Sequence, residues 1–344
     1  MPNKAMPIKA MPIKTMGLLH LCCLVVATCW VSDGSAEPLP TTNTSPISGL
    51  LGLPIMRDAA VLSPRQYSLA LNGSLANNYS VASTAASSAG QALNFDGETG
   101  TVRLAAALGL GHGWEVSAEV ARVSHSGGEL DSLIEDWHST WGLPGGDRQQ
   151  VAQDQLNYSY RDQLTTLSLT ESRRDWGDSH IAVTKLIGAT GSSQSSLRAG
   201  VKLGTGSLDG LTGSGAEDYY LSVLHSSDAL DGAVRWHAQL GYLYAGTIDV
   251  LQHVQRQHLW FTGVGVTWKV WRQLQLQAQL DSHAAPLHSS LRAVGTAPLL
   301  LSAGINWSLP SGWSATVAFV EDLNVATAPD ITLQFGLRYQ PRPY

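Results

Sequence analysis

The segment Gln273–Asp281 most constrains the fold, because it alternates strictly between polar and apolar residues. It reads Gln-Leu-Gln-Leu-Gln-Ala-Gln-Leu-Asp. A helix does not produce this pattern, since neighbours on one helix face recur every three or four positions. A β-strand does, with amides on one face and apolar side chains on the other. A soluble sandwich and a membrane barrel can both use such a strand, so the choice depends on the rest of the chain.

The N-terminus has the features of an export signal. Three lysines (Lys4, Lys9 and Lys14) precede the apolar run Gly17–Val31, which is 15 residues long. Such a run is too short to favour a spanning helix, and small residues follow it, so we predict a signal peptide cleaved after Ala36. A lipid-attachment box at Val26–Cys29 is the less favoured alternative.

The composition after residue 36 excludes several classes of function. All three cysteines lie within the predicted signal peptide, so we expect no disulfide framework and no thiol catalysis in the mature chain. Removing the three lysines and Asp33 from the totals leaves 18 basic and 26 acidic residues, a net charge of −8. With no basic stripe present, nucleic acid is not an expected partner.

The alternation recurs along most of the mature chain, which favours an all-β, antiparallel transmembrane β-barrel. Lipid-facing apolar residues alternate with lumen-facing polar ones in such a barrel, and several strands end in Trp or Tyr. We expect a flexible leader at residues 37–63 and one barrel domain at residues 64–344. Gln155–Glu171 supplies either two strands or none. Two are favoured because its apolar phase switches, from even to odd positions, near Arg161, so the pattern predicts about 14 strands, with 12 as the fallback. Asn77–Leu93 is expected to be an external loop.

One long loop departs from this period. Within it, Glu129–Trp141 carries a single apolar stripe at helical spacing, which predicts a short amphipathic helix. Gly127 and Gly128 can end the strand before it. The functional interpretation is a lid or inward-folded constriction over the lumen, and the alternative is a cap that seals the mouth. The candidate residues of this loop are His125, Gly127, Gly128, Asp131, Leu133, Ile134, Glu135, Asp136, Trp137, His138 and Arg148.

Enzymatic chemistry is a weaker hypothesis for the same loop. His125, Asp131, Glu135 and His138 combine imidazoles with carboxylates, which can serve in acid/base catalysis or bind a metal. Their spacing matches no specific ligand motif, and no nucleophile elbow surrounds a serine. We therefore predict no catalytic residue, no metal site and no cofactor.

Several motifs in the chain resemble a family of uncharacterised proteobacterial envelope proteins of the domain-of-unknown-function type. The resemblance covers nearly the whole mature chain, and the helix loop is its most specific part. It implies no activity. The closing segments also look like those of outer-membrane channels for hydrophobic compounds. The motifs that carry the resemblance are Gly49–Pro54, Phe95–Thr99, His125–Gly128, Asp131–His138, Gly142–Pro144, Leu211–Gly215 and the Glu321–Asp330 segment.

These observations together predict an outer-membrane barrel of a Gram-negative bacterium, with a periplasmic location as the alternative. The leading function is a narrow or gated conduit for small solutes, hydrophobic ones among the candidates. The rivals are a structural or partner-binding barrel without conduction and a membrane-embedded hydrolase. Outer-membrane lipids, the barrel-assembly machinery and an unidentified solute are the expected partners.

Overall fold

The computed structural model describes residues 37–84, 90–128 and 155–341, and nearly all of its regular structure is antiparallel β-sheet. The only α-helical segment among these residues is a single turn, α1 (Arg292–Gly295). The strands are β1 (Tyr67–Ser83), β2 (Ala92–Gly111), β3 (Trp114–Ser126), β4 (Asn157–Arg161), β5 (Thr166–Leu169), β6 (Arg173–Trp176), β7 (Ser179–Thr190), β8 (Ser193–Leu203), β9 (Asp218–Ala229), β10 (Val234–Tyr244), β11 (His258–Lys269), β12 (Leu274–His283), β13 (Leu299–Ser308), β14 (Trp313–Asp322) and β15 (Ile331–Tyr339).

Twelve of these strands close into a barrel. β1 pairs with β2 on one side and with β15 on the other, in a register that places Leu69 opposite Tyr339. β3 pairs with β2 and with β7, and β7 to β15 follow one another in order around the ring. The prediction of a closed antiparallel barrel is confirmed, with the fallback count of 12.

The preferred count of 14 is wrong, because the two strands assigned to Gln155–Glu171 do not cross the membrane. They exist as the hairpin β4–β5, and the switch of apolar phase occurs near Arg161 as expected. The hairpin pairs with the outer end of β2, from Ala92 to Asp96, beyond the point where β3 ends. A phase switch identifies a hairpin but does not distinguish a spanning hairpin from one above the barrel.

The turns distinguish the two ends of the barrel. The turns that follow β2, β7, β9, β11 and β13 are short and lie at the same end as the C-terminus, which is the periplasmic end in barrels of this class. The longer connections lie at the opposite, external end. The expected loop Asn77–Leu93 is shorter than predicted, because β1 continues to Ser83 and β2 begins at Ala92.

The two faces of the barrel have opposite polarity. In β12, Gln275, Gln277 and Gln279 are buried in the lumen, whereas Leu276 and Leu280 are exposed on the outer wall. Exposed aromatic residues flank the apolar wall, with Trp114, Trp307 and Trp313 near the periplasmic end and Tyr219, Tyr242 and Trp260 near the external end. An apolar outer wall of this kind needs lipid, so the chain is an outer-membrane barrel. In the described part of the chain, every helix is too short or too polar to span a bilayer.

The expected flexible leader lies inside the barrel instead. Most residues from Glu37 to Ser63 are buried, and their backbone groups bond to side chains of the lumen wall. Composition alone predicts a flexible linker for a segment rich in Pro, Ser and Thr. Here the polar lumen provides the hydrogen-bond partners that water provides to a linker. The predicted signal peptide, residues 1–36, lies outside the described residues.

Candidate functional site

The lumen is occupied by a hairpin of irregular backbone, residues Glu37–Ser63, which we term the lumen hairpin. Its ascending limb starts at the periplasmic end, where the Gln277 side chain donates to the Glu37 carbonyl at 2.6 Å. A 3-10 turn, Ser48–Leu50, forms its tip at the external end. The descending limb returns to the periplasmic end, where the Leu62 N–H donates to Glu115 at 3.0 Å. The hairpin therefore extends along the lumen twice.

The ascending limb is held by polar side chains of β12 and β13. Gln279 pairs with Leu39 as a peptide group would: its carbonyl oxygen accepts from the Leu39 N–H at 2.9 Å, and its amide donates to the Leu39 carbonyl at 3.1 Å. Higher up, the Thr41 and Ser302 hydroxyls lie 2.7 Å apart. Asn43 then bridges His283 and the carbonyl of Thr327, both at 3.2 Å.

The tip of the hairpin packs into an apolar cluster that covers the external mouth, which we term the mouth cluster. Ile47 and Leu50 of the tip are each 1% exposed. The strands β2, β4 and β5 and the external loops supply the other members. The mouth cluster comprises Ile47, Leu50, Leu93, Phe95, Tyr158, Tyr160, Leu167, Leu169, Leu211, Ile248, Leu251, Leu287, Leu291, Ala293 and Val294.

Lys202 joins the tip of the hairpin to the barrel wall. Its side chain is 1% exposed, and its ammonium group lies 3.0 Å from Asp178 and 3.2 Å from Asp218 and donates to the Leu50 carbonyl at 2.9 Å. Asp218 in turn accepts from the Gly52 N–H at 2.6 Å. A side chain at Gly52 does not fit here, because its Cβ would lie 2.8 Å from the Lys202 Cβ.

Asp58 anchors the descending limb. Arg235 of β10 binds its carboxylate with two hydrogen bonds, Nε to Oδ2 at 2.6 Å and Nη2 to Oδ1 at 2.8 Å. The same guanidinium donates to Asp228 at 2.8 Å and to Gln194 at 3.1 Å. Such bidentate pairs combine strength with a fixed geometry.

The two limbs meet at the periplasmic end through Glu37. Arg57 of the descending limb lies 3.2 Å from the Glu37 carboxylate, and Arg338 of β15 lies 2.7 Å from it. The hairpin is therefore closed on itself and tied to the wall at both ends.

A small cavity lies beside the hairpin. A cavity of about 80 Å³ lies between the ascending limb, the tip and the wall formed by β2, β3, β7 and β8. Arg103, His180 and Lys202 are among the wall residues that line it. A cavity of this size holds a few water molecules and does not form a continuous pore.

Hydrogen bonds hold the hairpin β4–β5 at the external rim. Asp162 lies in the turn between β4 and β5. Its carboxylate accepts hydrogen bonds from His253 at 2.8 Å and from the backbone N–H groups of Leu164 and Thr165, both at 2.8 Å. Burial would raise the pKa of the Asp162 carboxyl, but the hydrogen bonds that it accepts hold this pKa below its ordinary value of 3.8. Tyr160 also donates to Asp162, at 3.1 Å.

Of the predicted loop residues, the structure describes His125, Gly127 and Gly128, which lie together at the external end of β3. Both ring nitrogens of His125 are engaged, Nδ1 with the Thr99 hydroxyl at 3.0 Å and Nε2 with the Leu211 carbonyl at 3.0 Å. His125 thus ties β3 to an external loop.

The backbone conformation at position 128 requires glycine. Its φ is +87°, and a Cβ would overlap the Glu98 side chain at 2.0 Å. The predicted helix Glu129–Trp141 and the candidates Asp131, Leu133, Ile134, Glu135, Asp136, Trp137, His138 and Arg148 lie outside the described residues. Across the described ranges, no group of three His, Cys, Asp or Glu side chains is placed to hold a metal ion.

Sequence reasoning missed the lumen hairpin. One signal could have found it: the lumen faces of the strands carry Lys202, Arg235 and Arg338, and buried charges of this kind need partners. The motif Gly49–Pro54, singled out by the family resemblance, includes most of the hairpin tip.

The fold is similar to those of solved outer-membrane channels. The outer-membrane channel COG4313 from Pseudomonas putida F1 is 9% identical, with a TM-score of 0.53, over 83% of this chain and 97% of that chain. The NanC porin is 9% identical, with a TM-score of 0.45, over 80% of this chain and all of that chain. The KdgM porin is 8% identical, with a TM-score of 0.43, over 79% of this chain and 98% of that chain. The first of these supports the fold.

The family is established by sequence. No curated protein matches the chain. A family model matches residues 15–340, most of its length. The chain therefore belongs to the family described as Protein of unknown function (DUF3187).

Proposed function

We propose that the protein is a gated conduit for small solutes, in which the lumen hairpin is the gate. The observation that carries this proposal is a closed barrel of 12 strands whose lumen is filled by a segment of its own chain. Barrels of about eight strands fill their interiors with wall side chains, whereas open porins have about 16. An intermediate barrel has room for a passage, and this passage is closed by the hairpin.

The type of contact also favours a hairpin that moves. Its two limbs are anchored to the wall by hydrogen bonds and ion pairs, such as Asp58 with Arg235, whereas its tip packs into the mouth cluster. A permanent plug could be held at least as well by apolar contacts, because replacing a buried ion pair with apolar groups of similar volume is often neutral or stabilising. Polar contacts have the further property that water can replace them when the hairpin leaves.

The wall is suited to hydration. The side-chain carbonyl oxygens of Gln239, Gln275, Gln277 and Gln334 face the lumen and have no hydrogen-bond donor among the described residues. A wall of amides and charges would fill with water once the hairpin is displaced. The mouth cluster is apolar, so a hydrophobic or amphipathic solute would contact apolar side chains there once the tip of the hairpin moves.

The predicted helix Glu129–Trp141 is a second element of the proposed gate, as a cover over the external mouth. The sequence pattern is the only support for this helix. Deleting Glu129–Gly146 should raise conductance if the helix restricts entry, and should leave conductance unchanged if it only packs on the rim.

The test of the conduit is conductance in planar bilayers. We expect few openings of the wild-type protein and frequent openings of Asp58→Asn, because the substitution removes the charge that Arg235 binds. Asp231→Asn, in an exposed periplasmic turn, is the matched control. Removing residues 38–62 should give the largest conductance, and migration on unheated gels would verify that each variant is folded.

A structural barrel without conduction is the second candidate, since the lumen is filled along its length. It predicts silence in every folded variant, including the one that lacks the hairpin.

A further inference from the structure

Three arginines lie together at the external end of the barrel, on β3 and β6, and form a basic patch. Arg122, Arg173 and Arg174 lie on these two short paired segments, although the chain has a formal net charge of −6. All three are exposed, and none forms an ion pair within the described part of the chain.

The strand register assigns two of these arginines to the lipid-facing side. Arg122 is opposite Trp176, and Ser124 is opposite Arg174. Directly paired residues share a face, as do residues two positions apart in one strand. Arg122 follows Val120 on the outer wall, so Arg122, Arg174 and Trp176 all face outward. Asp175 and Arg173 have the other parity, so the outward face of the patch is purely cationic.

Trp176 fixes the geometry of the patch. Its ring is 56% exposed, and the Arg122 guanidinium carbon lies 5.4 Å from the ring centroid. Stacking on an indole orients a guanidinium while leaving most of its N–H groups free to donate. Trp is also the residue type that favours the boundary between lipid and water.

The patch lies at the height of the outer lipid headgroups. Arg122 is eight residues along β3 from Trp114, which belongs to the periplasmic aromatic belt. At about 3.4 Å per residue and a tilt of about 40°, this separation corresponds to roughly 21 Å across the membrane, near the upper limit of an apolar band about 25 Å tall. Cations that have no carboxylate partner among the described residues can bind an anion at this level.

We propose that Arg122, Arg174 and Trp176 bind a phosphate group of a phosphorylated glycolipid in the outer leaflet. Guanidinium groups bind phosphate oxygens with paired N–H donors, and two that face the same way can hold one phosphate between them. The exposed apolar side chains beside and below the patch, Val102, Val120 and Ile181, would contact the acyl chains.

The experiment measures retention of lipid A by the purified, folded protein with native mass spectrometry. The probes are lipid A carrying two phosphates and the same lipid with both phosphates removed. We expect the double variant Arg122→Gln/Arg174→Gln to retain the phosphorylated lipid about tenfold less than wild type, since charge-assisted hydrogen bonds are lost. The dephosphorylated lipid should bind both proteins equally weakly.

Arg173→Gln is the control for position, because it removes one positive charge from β6, next to Arg174 but on the opposite face. It should retain lipid A as wild type does. Equal retention by wild type and the double variant would overturn the proposal, as would equal loss in Arg173→Gln or equal binding of the two lipids. Heat-modifiable migration of each variant separates lost binding from lost folding.

Discussion

At the scale of single residues, Lys202 is the most constrained charge of the site. It is buried between two carboxylates and also holds the hairpin tip through the Leu50 carbonyl. Lys202→Met leaves Asp178 and Asp218 close together without a cation. Breaking a buried ion pair in this way costs about 3–5 kcal/mol, so we expect a clear loss in the free energy of unfolding, measured by urea titration in lipid vesicles.

Two comparisons make this prediction specific. Lys269→Met, near the periplasmic end of β11, removes a lysine that has no buried carboxylate partner among the described residues and should change stability little. Adding Asp178→Asn and Asp218→Asn to Lys202→Met should recover part of the loss. If Lys202→Met matched Lys269→Met in stability, the account of the tip would be wrong.

Gly52 allows the tip to lie against the wall. A methyl group at this position would lie 2.8 Å from the Lys202 Cβ and 3.0 Å from the Asp218 Cβ. Gly52→Ala should therefore displace the tip, at a cost of about 1–3 kcal/mol for overpacking, and raise the frequency of channel openings. Gly49→Ala is the control, since its Cβ would have no contact closer than 3.8 Å. Equal opening frequencies in both variants would count against a tight tip.

At the scale of elements, the hairpin β4–β5 should respond to acid through Asp162. A carboxyl whose pKa is lowered in the folded state stabilises the fold above its ordinary pKa and loses this effect as the pH falls through the folded-state value. In Asp162→Asn, the backbone amide hydrogens of β4 and β5 should therefore exchange with solvent faster than in wild type at pH 5. The difference should shrink as the pH falls below 3.8, the ordinary value. Hydrogen exchange corrected for intrinsic rates measures this, and a constant difference down to pH 3 would contradict it.

The strands themselves were predictable from sequence, and the irregular element was not. Alternation in segments such as Gln273–Asp281 identified both the strand and its lumen face, because side-chain direction in a strand has a fixed period of two. The segment Glu37–Ser63 has no period. Its position depends on distant partners such as Gln279 and Arg235, which no local pattern reveals.

At the scale of the whole molecule, closure of the barrel was predictable and its size only partly so. Alternation predicted a ring of about 14 strands, because the hairpin β4–β5 has the same switch of apolar phase as a spanning pair. Only its pairing with the end of β2 excludes it from the ring. The polarity of the wall was predictable too, whereas the filling of the lumen depends on contacts between residues more than 200 positions apart, such as Leu39 with Gln279.

The central claim, that displacement of the lumen hairpin opens the barrel, is tested most directly by a reversible lock. The Thr41 and Ser302 hydroxyls are 2.7 Å apart, and the chain has no cysteine after Cys29, so Thr41→Cys/Ser302→Cys can form a disulfide between hairpin and wall. Single-channel recording of this variant should show no openings when oxidised and wild-type openings after a reductant is added, with Thr41→Cys alone unaffected by either treatment. Openings that persist in the fully oxidised protein would contradict the claim.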